Sequence, residues 1–264
     1  MIHLGPFMIN WHGILTAVGI LAGWYAAGRL ARRFGINPEE ISRLAPYLIV
    51  SAIIGGRVAY VLSHLDDFTG NLWAVVRIDQ GGLASHGALL FGFLTVYAYA
   101  RRRGQNLGHL LDALAPAIPI NYLAMRIGNF LIGELYGDPT SLPWGVVFPG
   151  AGASPRHPAQ LYDGVGQTIV LILLLVLARR PRPAGEFFWL TLAGTSVVRL
   201  FSDLVRTQLR VIGPLTLGQV GAVVALLIAL GALWSGRRRW RRTGEAEGSS
   251  LPPPATAQAG QVSG

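Results

Sequence analysis

Hydrophobic positions along this chain gather into seven long runs separated by short polar punctuation. Each run approaches the roughly 20 residues that a helix needs to cross a bilayer. The first goes from about Ile9 to Leu30, the second from Leu44 to His64, and the third from Leu83 to Ala100. A fourth, interrupted by Pro116 and Pro119, covers about Leu107 to Phe130. The fifth spans Leu161 to Ala178, the sixth Phe187 to Val205, and the seventh Leu215 to Trp234. The pattern predicts an all-α polytopic membrane protein with seven transmembrane helices in one domain over residues 1–241. No internal repeat interrupts it, and nothing resembles the paired halves of a transporter.

The punctuation orients the chain. Arginine clusters follow the first, third, fifth and seventh runs: Arg29, Arg32, Arg33 and Arg43, then Arg101 to Arg103, then Arg179, Arg180 and Arg182, then Arg237 to Arg239 with Arg241 and Arg242. Loops rich in arginine stay cytoplasmic, so the N-terminus is expected outside and the C-terminus inside. The opening Met-Ile-His-Leu-Gly-Pro has neither a basic n-region nor a cleavage site, so no removable signal peptide is expected. From about Arg242 the chain turns to Pro, Gly, Ala and Ser, and residues 242–264 read as a disordered cytoplasmic tail.

Composition agrees with this picture. Over 264 residues, 52% are hydrophobic, 13% are charged and the mean hydropathy is +0.44. A net charge of +9, carried by arginine with no lysine, raises nucleic acid as a partner. The clustering of those charges between apolar runs makes them an orientation signal instead, and no nucleic acid is expected. The absence of cysteine excludes disulfides, thiolate nucleophiles and Cys-based metal sites within the chain.

The chemistry lies in polar residues at membrane depth. The segment Arg126-Ile-Gly-Asn129-Phe-Leu-Ile-Gly133-Glu134-Leu-Tyr136-Gly137-Asp-Pro-Thr140 closes the fourth run. A charged side chain at that depth costs roughly 2.5–3.5 kcal/mol on insertion scales, so it normally faces a polar cavity. An interfacial turn with snorkelling Arg and Glu is the plainer alternative. Beyond the clusters, Arg57, Arg77, Arg126, Arg156, Arg199, Arg206 and Arg210 fall in the outer halves of the runs or in outer loops. Arg199, Asp203 and Arg206 stand at i, i+4 and i+7 on one helix face. An internal ion pair that staples helices would account for Arg199 and Asp203. Several arginines converging on one depth call for an anionic ligand, and the planar guanidinium fork suits a phosphate. A phospholipid headgroup entering sideways from the outer leaflet fits that requirement.

Histidines add a second signal. A histidine side chain can exchange a proton under physiological conditions, so His86, between glycines at the outer start of the third run, can take a proton or can simply pack at the interface. His12 in Asn10-Trp11-His12-Gly13 and His157 in Arg156-His157-Pro158-Ala-Gln160-Leu-Tyr162-Asp163 lie on the same side. His64 and His109 read as structural. No pair has metal-ligand spacing on one helix, so no metal and no cofactor are expected.

Together these motifs resemble the bacterial prolipoprotein diacylglyceryl transferase family. Arg126-x-Gly-Asn129-Phe-x-x-Gly133-Glu134-x-x-Gly137 carries the likeness, with His86-Gly87 upstream and Arg156-His157-Pro158-x-Gln160-Leu-Tyr162 downstream. Gly55-Gly56-Arg57 and Val-Val-Arg199-Leu-Phe-Ser-Asp203 extend it over roughly residues 5–240. The resemblance implies a seven-helix bacterial plasma-membrane enzyme with its active side outward. It would move the sn-1,2-diacylglyceryl group of phosphatidylglycerol to the lipobox cysteine of a preprolipoprotein, forming a thioether and releasing sn-glycerol 1-phosphate. Carried over, His86 is the family's essential histidine. Arg126 and Arg199 are its headgroup arginines, and Asn129, Gly133 and Glu134 belong to its motif. Arg57, His12, Arg156, His157 and Asp203 complete the expected substrate-binding set.

Four positions depart from the family pattern: His12 for Tyr, Ile132 for Asn, Asp138 for Arg, and Asp163 for Glu. Asp163 keeps its charge and is expected to matter little. His12 and Ile132 change hydrogen-bonding capacity at the cavity wall. In the implied mechanism the arginines hold the phosphate as the carbon–oxygen bond breaks, and either His86 accepts the thiol proton or the arginines lower the thiol pKa. A carrier or flippase for an anionic lipid or solute, and a lipid-binding scaffold, are the competing classes.

Overall fold

The structure is a computed structural model of the chain. It describes residues 2–4, 7–9, 11–68, 70, 72–77, 81–179, 182–206, 210–212 and 215–249. Among these, eight α-helices carry the architecture: α1 (Trp11–Ala31), α2 (Pro38–Ser63), α3 (Ser85–Arg103), α4 (Leu107–Leu114), α5 (Ala117–Ile132), α6 (Ala159–Leu177), α7 (Glu186–Ser202) and α8 (Leu217–Ser249). An antiparallel pair, β1 (Ile2–Leu4) and β2 (Phe7–Ile9), precedes α1, and a second, β3 (Arg210–Ile212) and β4 (Leu215–Thr216), leads into α8. The protein is all-α in its spanning part, as the hydrophobic runs predict.

Length and composition alone mark five of the seven expected spans among the described residues. Five helical segments are long and apolar enough to cross a membrane: Trp11–Phe34, Pro38–Ser63, Leu107–Ile132, Ala159–Leu177 and Leu217–Trp240. The sixth run forms α7, which at 17 residues is short for a crossing, and the third forms α3, whose 19 residues include Arg101, Arg102 and Arg103. The fourth run splits into α4 and α5 at Pro116, because proline lacks the backbone N–H that would carry the helix through. The second run extends earlier than its hydropathy, to Pro38, since Asn37 caps the Glu39 amide at 3.0 Å and proline suits the first helical position. At the far end, α8 runs to Ser249, into the segment expected to be disordered, and residues 250–264 lie outside the described ones.

Small residues set the packing. α1 lies against α5, α2 against α3, and α5 through α8 follow one another in contact. Gly87 of α3 meets the Gly55 carbonyl and Ala59 of α2, where any side chain would collide with backbone. Small residues let helix backbones approach in this way where burial of apolar surface gives little drive. Gly23 and Gly19 of α1 likewise face Ala117, Asn121 and Ala124 of α5. An apolar core built from Ala27, Ile41, Leu44, Val96 and Leu110 fills the half of the bundle near the ends marked by arginine clusters. Large apolar residues such as Leu21, Leu89 and Leu227 face outward, as a lipid-facing surface requires.

The N-terminus of α7 is fastened across the bundle. Buried Asp112 accepts from the Gly185 amide at 2.7 Å and the Phe188 amide at 3.0 Å, supplying partners that a helix start lacks. Glu186 is held there by Arg182 at 3.0 Å and Arg237 at 2.6 Å. Asp112→Ala would strand both amides, and a loss of about 1–2 kcal/mol is expected as a lowered thermal unfolding midpoint.

Candidate active site

The other end of the bundle gathers the polar residues. Its basis is the start of α1, the end of α5, the loop 133–158, the start of α6, and the α7–α8 junction. The loop is stitched by isolated bridges: Arg156 pairs with both Pro139 and Val146, and Gly137 pairs with Arg206 beyond α7. Phe148, 3% exposed, packs edge-on to Phe130 and stacks on Tyr136, over which Arg156 lies at 5.1 Å. The segment is thus a packed platform joined to the helices.

Beneath it runs an alternating chain of charges. Arg126 Nε stands 2.7 Å from Asp163 Oδ2, and the same oxygen is 3.1 Å from Arg206 Nη2. Arg206 Nη1 reaches Asp203 Oδ1 at 3.2 Å, and Asp203 Oδ2 meets Arg199 Nε at 2.9 Å. The Arg126–Asp163 contact is an ion pair by distance without hydrogen-bond alignment, so its Nε lacks a directed partner. Side chains of Arg126, Asp163, Arg206 and Asp203 are at most 4% exposed, whereas Arg199 keeps 27%. Three arginines face two aspartates, and the excess positive charge ends at the accessible guanidinium. In a low-dielectric setting such an excess is costly unless an anion joins it.

Each member is placed by local sequence. Arg199, Asp203 and Arg206 do meet, but not on one helix face as the spacing predicts: α7 ends at Ser202, so Asp203 caps the helix and Arg206 lies beyond it, bridged to Gly137. Asp203 is further fixed by Thr216, whose hydroxyl approaches Oδ2 at 3.4 Å. Thr216 and Gln219 cap α8 reciprocally, with Gln219 Oε1 accepting from the Thr216 amide at 3.0 Å and Thr216 Oγ1 from the Gln219 amide at 3.1 Å. Gly218 lets Arg199 lie across the helix start, because a Cβ there would stand 2.6 Å from its Nη2. Asn129 Oδ1 lies at the 3.5 Å limit from Arg126 Nη1, and its amide nitrogen meets His12 Nδ1 at 3.2 Å. Gly128 admits that contact, since a Cβ would come within 2.8 Å of the His12 Cα.

Past Asn129 the chain turns sharply. Gly133 takes φ +74°, which glycine allows freely, but Leu135 takes φ +60°, a strained value for a bulky side chain. Between them Glu134 is exposed, and its carboxylate makes no hydrogen bond or ion pair among the described residues. Its carbonyl accepts from Gln160 Nε2 at 2.7 Å, tying the turn to α6. Leu135→Gly should relieve the strain and raise thermal stability by about 1 kcal/mol, read as a higher unfolding midpoint.

The remaining expected residues are dispersed. His157 Nδ1 lies 3.1 Å from the Tyr162 hydroxyl, which accepts from Trp144 Nε1 at 2.8 Å, so it helps to seat the platform on α6. Arg156 donates to the Ala151 and Gly137 carbonyls at 3.3 and 3.4 Å within the same platform. Arg57 sits in a different place. Its guanidinium donates to the carbonyls of Ala74, Val75, Gly81 and Gly82, and it lies over Tyr60 and Phe68. It anchors the α2–α3 connection. His86 is exposed at the start of α3, which packs on α2 and α4, and no hydrogen bond joins it to the arginine chain among the described residues. Asn10 lies outside the described residues, and the side chain of Arg210 is not described.

Sequence reasoning underrated two members. Asp163 bridges two arginines at the centre of the chain, and Arg206 links both aspartates. The available signal was the cost of a lone carboxylate near the start of an apolar run, which demands a cationic partner.

Helices with small-residue contacts, outward apolar faces and a buried network of arginines and aspartates at one end define a polytopic membrane protein. A model of the prolipoprotein diacylglyceryl transferase family matches residues 1–235. The chain is 36% identical over 241 residues to the phosphatidylglycerol–prolipoprotein diacylglyceryl transferase of Methylococcus capsulatus, covering 87% of this chain and 91% of that one. It is 36% identical over 245 residues to the protein so named in Pseudomonas aeruginosa, covering 89% and 92%. With that of Legionella pneumophila it shares 33% over 243 residues, covering 89% and 95%. The chain belongs to the prolipoprotein diacylglyceryl transferase family.

Proposed function

We propose that this chain transfers the sn-1,2-diacylglyceryl group from phosphatidylglycerol to the thiol of the lipobox cysteine in a preprolipoprotein signal peptide. The observation that carries the reading is the buried chain of three arginines and two aspartates, whose surplus positive charge opens at Arg199. A phosphate diester supplies the missing negative charge. The cysteine sulfur attacks the glyceryl carbon attached to the phosphate oxygen, and that carbon–oxygen bond breaks. Its electron pair passes to the oxygen, leaving sn-glycerol 1-phosphate, while the thiol proton goes to a base. Arg199 and Arg126 stabilise the charge that develops on the phosphate, the kind of term worth roughly 3–4 kcal/mol per good donor. Asn129 orients Arg126, and Glu134 faces the glycerol headgroup from the strained turn.

The topology proposed with this activity has seven spans, the N-terminus outside and the C-terminus in the cytoplasm of a bacterial cell. The arginine clusters support it. The charge chain lies at the end opposite those clusters, so the reaction faces outward from the plasma membrane, where a signal peptide emerges. His86 and the thiol-pKa effect of the arginines remain the two routes for the proton. Its removal by His86 should be worth about 10²–10⁴-fold.

The test uses purified protein, phosphatidylglycerol and a lipobox peptide with one cysteine. Mass spectrometry is expected to find the diacylglyceryl thioether on the peptide. Lipid binding without product would favour a carrier. His86→Ala in a single-turnover format separates the two proton routes: an unchanged rate removes His86 from the mechanism.

A further inference from the structure

Between α2 and α3, at the end away from the charge chain, lies an open groove of about 780 Å³. One wall is a stripe of α2 that includes Tyr47, Val50 and Ile54, and the other runs along α3 from Phe91 through Thr95 to Arg102. At 1.5 Å per residue, the α3 wall extends roughly 16 Å. Half the thickness of a bilayer's hydrocarbon core is about 15 Å. The groove is therefore about as long as one leaflet's hydrocarbon layer is thick. Tyr47, Val50 and Ile54 are half or more exposed, so it opens sideways to lipid.

The charges at its mouth are unequal. Arg103 is committed to Glu40, with Nη2–Oε1 at 2.9 Å and Nε–Oε2 at 3.2 Å, and the Tyr99 hydroxyl donates to the same carboxylate at 2.8 Å. Arg43 divides itself between Glu39 and Glu40. Arg102 is exposed and has no ion pair among the described residues. A leaflet-long apolar slot ending in an uncompensated guanidinium matches one ligand class in shape and charge.

We propose that this groove binds one anionic glycerophospholipid of the leaflet at the Arg101–Arg103 end, with its phosphate on Arg102 and an acyl chain along α2 and α3. The site is distinct from the charge chain, and it stands whether or not the transferase reading does.

Because the chain lacks cysteine, single engineered cysteines report unambiguously. Leu94→Cys places a fluorescent label on α3 next to Thr95 of the groove wall. Leu230→Cys places one on α8, each about two turns before its own arginine cluster. The protein goes into phosphatidylcholine nanodiscs that receive brominated phosphatidylserine or brominated phosphatidylcholine. At the Leu94 position, half-quenching is expected at a mole fraction at least about five-fold lower for phosphatidylserine. The Leu230 position should show no such preference. Arg102→Gln should abolish the preference, and Arg126→Gln should leave it intact while transferase activity falls. Equal quenching at both labels would overturn the proposal, as would a preference that survives Arg102→Gln. A preference lost in Arg126→Gln would assign the bound lipid to the other site and overturn it too.

Discussion

Asp163→Ala is expected to destabilise the protein by about 3–5 kcal/mol, the range for breaking a buried ion pair from one side. Its Oδ2 atom is shared by Arg126 at 2.7 Å and Arg206 at 3.1 Å, and its side chain is 2% exposed. Removing it leaves two guanidinium groups buried near each other with no anion between them. Repulsion then adds to the desolvation cost that Asp163 now offsets. In a chain of this size the loss should lower the unfolding midpoint by on the order of 10 °C. Tryptophan fluorescence during heating in detergent reads it directly. Asp163→Asn keeps the shape but not the charge, so it should fall between alanine and the native side chain. Adding Arg206→Met to Asp163→Ala should restore part of the loss, because one of the stranded cations is gone. A midpoint for Asp163→Ala within about 2 °C of the native protein would remove this residue from the centre of the network.

What the sequence revealed and what it hid divide along range. Arg199, Asp203 and Arg206 could be grouped because their spacing is local, and the structure joins them at 2.9 and 3.2 Å, although α7 ends at Ser202 and Arg206 lies beyond the helix. Asp163 pairs with residues 37 and 43 positions away in sequence, which no periodicity relates. Hydropathy found the helices but not their ends. The second apolar run begins at Leu44, whereas α2 begins at Pro38 behind Asn37, a pair that is a strong start signal. Pro116 was visible as an interruption, and the structure turns it into a boundary between two helices. Arg57 shows the limit of reading function from depth alone. A charged residue inside an apolar run needs polar partners, and here it finds them in four backbone carbonyls of its own connecting loop.

Arg126→Gln is expected to lower kcat by about 10²–10³-fold, the cost of losing one preorganised donor to a developing negative charge. Its effect on the fold should be far smaller than that of Asp163→Ala, and the reason lies in the order of the charges. Without Arg126 the chain reads Asp163, Arg206, Asp203, Arg199, and each aspartate keeps an arginine within 3.2 Å. Two cations then balance two anions. The buried network becomes neutral, which favours the empty protein and removes the surplus charge that attracts a phosphate. Loss of transfer with a near-native unfolding midpoint is therefore the signature that separates a catalytic arginine from a structural one. Arg126→Lys should recover little, since a single ammonium cannot serve Asp163, Asn129 and a phosphate oxygen in the geometry of a planar fork. Steady-state transfer to the lipobox peptide, followed beside thermal unfolding of the same preparations, measures both quantities. Turnover within about three-fold of native for Arg126→Gln would move the phosphate to Arg199 alone.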